Sequence, residues 1–214
     1  MKYKLVIFDL DGTLLNTLDD LMLSLNYALA SSGLPKRTHE EVLHFVGDGI
    51  KKLVERGVPK GTSSELFEKT FLEFKDYYRL HCADNTEPYD GIIDLLCALK
   101  ARGHMIAVVS NKADFACKSL CDKYFAGMFD AVVGENPSIR KKPAPDTVNM
   151  VLEQLHIDRN DAVYIGDSEV DIATAKNANM DCISVDWGFR DNDELINSGA
   201  TKIVSNPNEI LNEV

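Results

Sequence analysis

Short apolar runs recur along the chain at residues 4–8, 105–109, 131–133, 162–165 and 182–185, with a weaker one at 202–204. Most are continuous rather than alternating, so neither face of such a strand is meant for water. Strands of that kind belong to a parallel sheet covered on both sides. Helical patterns separate them at 92–101, 113–124, 147–155 and 172–178. Strand alternating with helix, joined by right-handed crossovers, predicts an α/β fold with a doubly wound, mostly parallel, Rossmann-like sheet.

One interval breaks the alternation. Between the first two runs the only periodic stretches are amphipathic and helical, at 18–30, 39–45, 50–56 and 64–80, separated by SSGLP, GDG and GVPKGTSS. One crossover needs a single helix, so this interval reads as an inserted all-α domain over residues 16–83, with the α/β core made of residues 1–15 and 84–214.

Composition narrows the partners. A net charge of −11 would repel nucleic acid and anionic membrane, both of which are bound through clustered Lys and Arg. No apolar stretch reaches the roughly 20 residues that span a bilayer. The first strand begins close to Met1, which leaves no room for a signal peptide, so the expected compartment is the cytoplasm. The five cysteines are scattered and odd in number, as in a reduced protein. Cys117 and Cys121 lie on one helical face without further ligands nearby, and packing explains them better than a metal does.

Ligands of an open α/β sheet bind beyond the carboxyl ends of its strands, at the point where strand order reverses. The residues that follow the runs are Asp9, Asp11, Gly12 and Thr13; Ser110 and Asn111; and Gly166, Asp167, Ser168 and Asp171, with Lys141-Lys142-Pro143 between the third and fourth runs. Each stretch alone has an ordinary reading as a turn, a helix cap or a solvated charge pair. Together, in order, they supply carboxylates, hydroxyl and amide donors, an ammonium and tight glycine turns.

This set resembles the haloacid dehalogenase superfamily of aspartate-nucleophile phosphatases. All of that superfamily's four motifs have counterparts here: FDLDGT at 8–13, VVSN at 108–111, the lysine of KKPAPD at 141–146, and IGDSEVD at 165–171. An α-helical cap inserted between the first two motifs is part of the same resemblance. GLP at 33–35, VGDGI at 46–50, WGF at 187–189 and SGA at 198–200 resemble its phosphoglycolate phosphatase-like group. One departure is Asn16, where the group often has an aspartate.

The residue chemistry suits phosphomonoester hydrolysis, which needs a nucleophile, a proton donor for the leaving oxygen and cations around the phosphoryl group. Asp9 is the expected nucleophile, and Asp11 the expected acid and then base, its position beside other acids favouring a protonated form. So many acids facing a phosphate call for Mg²⁺. The resemblance implies Asp9 and Asp167 as direct ligands, Asp11 through its backbone carbonyl, and Asp171 through water or as an orienting group. Gly12, Ser110, Asn111 and Lys142 are the expected phosphate-binding residues, with Lys141 as the alternative to Lys142. Thr13 is expected to brace the nucleophile turn, and Trp187 either lines the entrance or packs under a loop.

In the cap, Asp48, Gly49, Lys51 and Arg56 are candidate substrate contacts. The expected substrate is a small phosphorylated metabolite, first of all 2-phosphoglycolate, with nucleotides, sugar phosphates or pyrophosphate as alternatives. A catalytically silent interaction module is the reading from another class. The chain is expected to be a monomer or a homodimer.

Overall fold

The computed structural model describes residues 2–214, and the chain divides into two compact units, Met1–Leu15 with Pro88–Val214, and Asn16–Glu87. In chain order the strands are β1 (Leu5–Phe8), β2 (Leu15–Asn16), β3 (Glu87–Pro88), β4 (Met105–Ala113), β5 (Ala131–Glu135), β6 (Ala162–Gly166), β7 (Asp181–Val185) and β8 (Ile203–Val204). The helices are α1 (Leu18–Ser31), α2 (His39–Phe45), α3 (Ile50–Gly57), α4 (Ser64–His81), α5 (Ile92–Ala101), α6 (Asp114–Phe125), α7 (Asp146–Leu155), α8 (Glu169–Asn177), α9 (Asn192–Asn197) and α10 (Pro207–Glu213).

The first unit holds a six-stranded sheet in the order β5-β4-β1-β6-β7-β8, and its pairs run parallel. Leu5, Ile7, Ala107, Val109, Ala162 and Tyr164 pack on one face against Val148, Val151 and Leu152 of α7 and Ala175 of α8. The alternate residues Val6, Phe8, Ile106, Val108, Val163 and Ile165 are equally buried, so both faces are covered. Continuous apolar runs were the signal for that arrangement. From β1 the chain builds outward through β4 to β5, then returns beside β1 with β6, so the order reverses between β1 and β6.

The second unit consists of α1–α4. Leu21, Leu25, Ala28 and Leu29 of α1 and Phe74 and Tyr78 of α4 form its buried stripe, and Thr38 and Glu41 cap α2 reciprocally. Asn16 keeps a hydrogen-bonding role, its Oδ1 accepting from Leu18 N at 3.4 Å. β2 and β3 pair with each other where the chain passes between the units.

Some boundaries differ from the sequence expectation. The second junction falls after residue 87 rather than after residue 83. The reason is Asp20, a buried α1 carboxylate that accepts from the backbone N–H groups of Asn85 and Thr86 and from both their side chains, at 2.7–3.1 Å. A buried carboxylate must be satisfied, and this one ties 85–86 to the helical unit. β4 runs on to Ala113, so α6 starts at Asp114, whereas α8 starts earlier than expected, at Glu169. The short helices α9 and α10 were not foreseen.

Candidate active site

The reversal point of the sheet places its two strand ends together. Asp9 follows β1 and donates its backbone N–H to Ile165 O of β6 at 2.9 Å, which sets it beside the residues leading to Asp167. Carboxylate oxygens of Asp9, Asp167 and Asp171 lie within 4.8 Å of one another, all three residues being buried.

Lys142 reaches this cluster from the segment after β5. Its Nζ is 3.0 Å from Asp9 Oδ2, 2.7 Å from Asp171 Oδ1 and 3.1 Å from Tyr164 OH. Lys141 is instead half-buried, with Nζ 4.0 Å from Glu135. Asp171 is saturated, since its Oδ2 accepts from Ser168 N at 3.1 Å and Ser168 Oγ at 2.6 Å. Tyr164, a buried strand residue, donates its hydroxyl to Val109 O at 3.0 Å and links the ammonium to the sheet.

Asp167 is held from two loops. Thr13 Oγ1 donates to its Oδ1 and Phe189 N to its Oδ2, both at 2.8 Å, while Trp187 Nε1 donates to Thr13 O at 3.0 Å. Thr13 therefore braces the turn through Asp167, and Trp187 packs on that same turn. Two glycines make this approach feasible. A Cβ on Gly12, whose φ is +83°, would fall 2.2 Å from Asp167 Oδ2, and one on Gly188 would fall 2.3 Å from Gly12 O and 2.4 Å from Asp167 Cβ. Gly188→Ala cannot be absorbed by a flexible side chain, because one obstacle is backbone. We expect it to cost about 1–3 kcal/mol of stability, read from urea unfolding.

Burial is the dominant influence on the acids. It pushes the Asp9 carboxyl up to about 7; Lys142 opposes that shift, and the charges of Asp171 and Asp11 add to it. Asp167 is raised well above the usual carboxylate range by burial and then by Asp171 and Asp9. Burial alone would depress the Lys142 ammonium, but Asp171 and Asp9 outweigh it and hold that group well above its ordinary value. The half-buried Tyr89 hydroxyl is raised too, by burial and by Asp167 and Asp11.

Asp11 differs from its expected setting. Its Oδ1 lies 2.8 Å from Nζ of Lys112, a buried ammonium that sequence reasoning passed over. Ser110 and Asn111 are buried inside β4 rather than capping a helix, and Asn111 Nδ2 donates to Lys142 O at 3.2 Å. Within the helical unit, Arg56 bonds to Asp48 and donates to Phe45 O at 2.7 Å, closing the turn that contains Gly49, while Lys51 is exposed. Among the described residues no helix is long and apolar enough to cross a membrane.

Comparison with known proteins bears on this geometry. A family model described as haloacid dehalogenase-like hydrolase matches residues 6–185. A phosphoglycolate phosphatase of Neisseria meningitidis serogroup A is 35% identical over 202 residues, covering 92% of this chain and 86% of that protein. An N-acetylmuramic acid 6-phosphate phosphatase of Pseudomonas aeruginosa is 32% identical, with 99% and 94% covered. The crystal structure of a predicted phosphoglycolate phosphatase from Haemophilus somnus superposes with a TM-score of 0.92 at 28% identity, over 100% of this chain and 98% of that one.

Proposed function

The chain belongs to the haloacid dehalogenase-like hydrolases and is a phosphatase of that family, and from this premise we propose that it hydrolyses 2-phosphoglycolate through a phosphorylated Asp9 with the help of Mg²⁺. The observation that carries the reading is the convergence of Asp9, Asp167, Asp171 and Lys142 at the switch point of the sheet.

The residues fit a hard divalent cation. All candidate ligands are oxygen donors, and the charges do not balance without one. Lys142 meets Asp9 and Asp171, Lys112 meets Asp11, and Arg190, whose charge Asp167 also feels, is paired with Glu169, so the four acids when ionised carry two more charges than the two lysines balance. Burial is the main cause of the upward shift of Asp9, and the neighbouring charges of Asp171 and Asp11 add to it. Asp9 and Asp167, with the carbonyl of Asp11, would hold Mg²⁺, and the bound ion would neutralise phosphoryl oxygens as substrate approaches. Asp171, with both oxygens already engaged, suits orienting Lys142.

In the reaction, an Asp9 carboxylate oxygen bonds to phosphorus as the bond to the leaving oxygen breaks, and Asp11 gives that oxygen its proton. Water then attacks the phosphorus, passes a proton to Asp11, and releases phosphate and the Asp9 carboxylate. Ser110, Asn111, the backbone near Gly12 and Lys142 supply donors and positive charge to the phosphoryl oxygens. The Asn16–Glu87 unit is the proposed cap, with Asp48, Gly49, Lys51 and Arg56 as its candidate substrate contacts.

A panel of phosphate esters compared by kcat/KM tests the substrate. 2-Phosphoglycolate should lead; a sugar 6-phosphate leading instead would favour the second reading, for which the 32% identical sugar-phosphate phosphatase speaks. Metal removal has its own pH signature. A carboxyl raised from 3.8 to about 7 binds more protons folded than unfolded in that interval, so the metal-free fold loses stability as pH rises through it. Mg²⁺ has to displace that proton. The rise in Tm on adding Mg²⁺ is therefore expected to be larger at pH 8 than at pH 6, and chelation should abolish activity; equal rises at both pH values would contradict this.

A further inference from the structure

The residue directly after Ser110 and Asn111 is a lysine inside a strand, an uncommon place for a long cationic side chain. The ladder between β4 and β5 shifts register between Val109 and Ala113, and irregularities of this kind re-aim the side chains they contain. Lys112 is 3% exposed, with its N–H donating to Ser110 Oγ at 3.3 Å and its Nζ 2.8 Å from Asp11 Oδ1. A buried ammonium is tolerated only where it meets a counter-charge. Here that counter-charge is the less buried partner, the Asp11 side chain being 20% exposed against 1% for Lys112. Asp11 Oδ2 takes part in none of the hydrogen bonds found among the described residues.

We propose that Lys112 is a positioning residue for the proton-transfer group at Asp11, gripping Oδ1 and leaving Oδ2 to exchange protons with the leaving oxygen and with water. The proposal rests on the acid and base role given to Asp11 above. Asp11 precedes Gly12 in a turn, and among the described residues Lys112 is the hydrogen-bond partner that anchors its short side chain. Proton transfer demands heavy-atom placement within hydrogen-bond reach, so a carboxylate free to rotate away loses much of its effect.

The test compares p-nitrophenyl phosphate, whose leaving group departs without a proton, with the alkyl ester turned over fastest in the substrate panel. kcat/KM reports the first phosphoryl transfer for both. Lys112→Met should lower it for the alkyl ester roughly 30-fold or more and for the aryl ester less than about 3-fold. Lys112→Gln, which keeps a donor on a shorter neutral head, should fall between, and it carries the test if the methionine variant does not fold by circular dichroism. Equal losses on both esters, or an unchanged ratio, overturn the proposal. Asp11→Asn separates the two layers. If it lowers the alkyl-to-aryl ratio and the Lys112 variants do not, only the role of Lys112 fails. If it leaves the ratio unchanged, or wild type hydrolyses neither ester, the reading of Asp11 fails and the proposal with it.

Discussion

Asp9→Asn should lower kcat by about 10⁴-fold or more while leaving the fold at least as stable as wild type in chelator at neutral pH. The two effects have one source. Asp9 is buried among like charges, and its carboxyl is raised to about 7 because the folded protein tolerates the ionised form poorly. An amide of the same shape removes that charge, and Lys142 keeps Asp171 as its partner at 2.7 Å. The nucleophile is lost in the same step, since an amide oxygen cannot form the phosphoryl ester that water then cleaves. Phosphate release and urea unfolding of the two proteins check both halves. A variant that is both inactive and strongly destabilised would indicate that Asp9 serves the fold rather than the chemistry.

Lys142→Met should act in the opposite sense on stability. Its ammonium is 2% exposed and bonded to Asp9, Asp171 and Tyr164. Removing one member of a buried ion network strands the others, which costs about 3–5 kcal/mol. Asp171 suffers most, being fully buried with one oxygen turned to the lysine. Mg²⁺ should recover part of the loss by supplying positive charge to Asp9. Urea unfolding with and without Mg²⁺ measures both quantities, and activity should fall together with them.

The sheet was legible because its signal is local. Continuous apolar runs mark strands buried on both faces, and the residues after them define the site whatever the intervening chain does. The lysine of the site was legible through Pro143, which singled out Lys142 from its neighbour. Less local features escaped. Nothing near residue 85 announces that Asp20, far upstream, will gather the N–H groups of Asn85 and Thr86 and move the junction. Lys112 escaped because Ser110-Asn111 looked like a strand end, while β4 in fact continues through an irregularity to Ala113. α9 carried a readable signal, the Asp191 and Glu194 capping box, but at six residues it shows no periodicity. α10 is announced only by Asn206 and Pro207 at its start.

The central claim is that Asp9 carries the phosphoryl group between two half-reactions. It is tested most directly by acid-quenching Asp11→Asn, in which the second half-reaction is slowed, during turnover of p-nitrophenyl phosphate, and locating phosphate by peptide mass spectrometry. The account predicts one hydroxylamine-labile phosphoryl group on the peptide containing Asp9. Phosphate released with no phosphopeptide at any time point, or a phosphoryl group on a different residue, would contradict it.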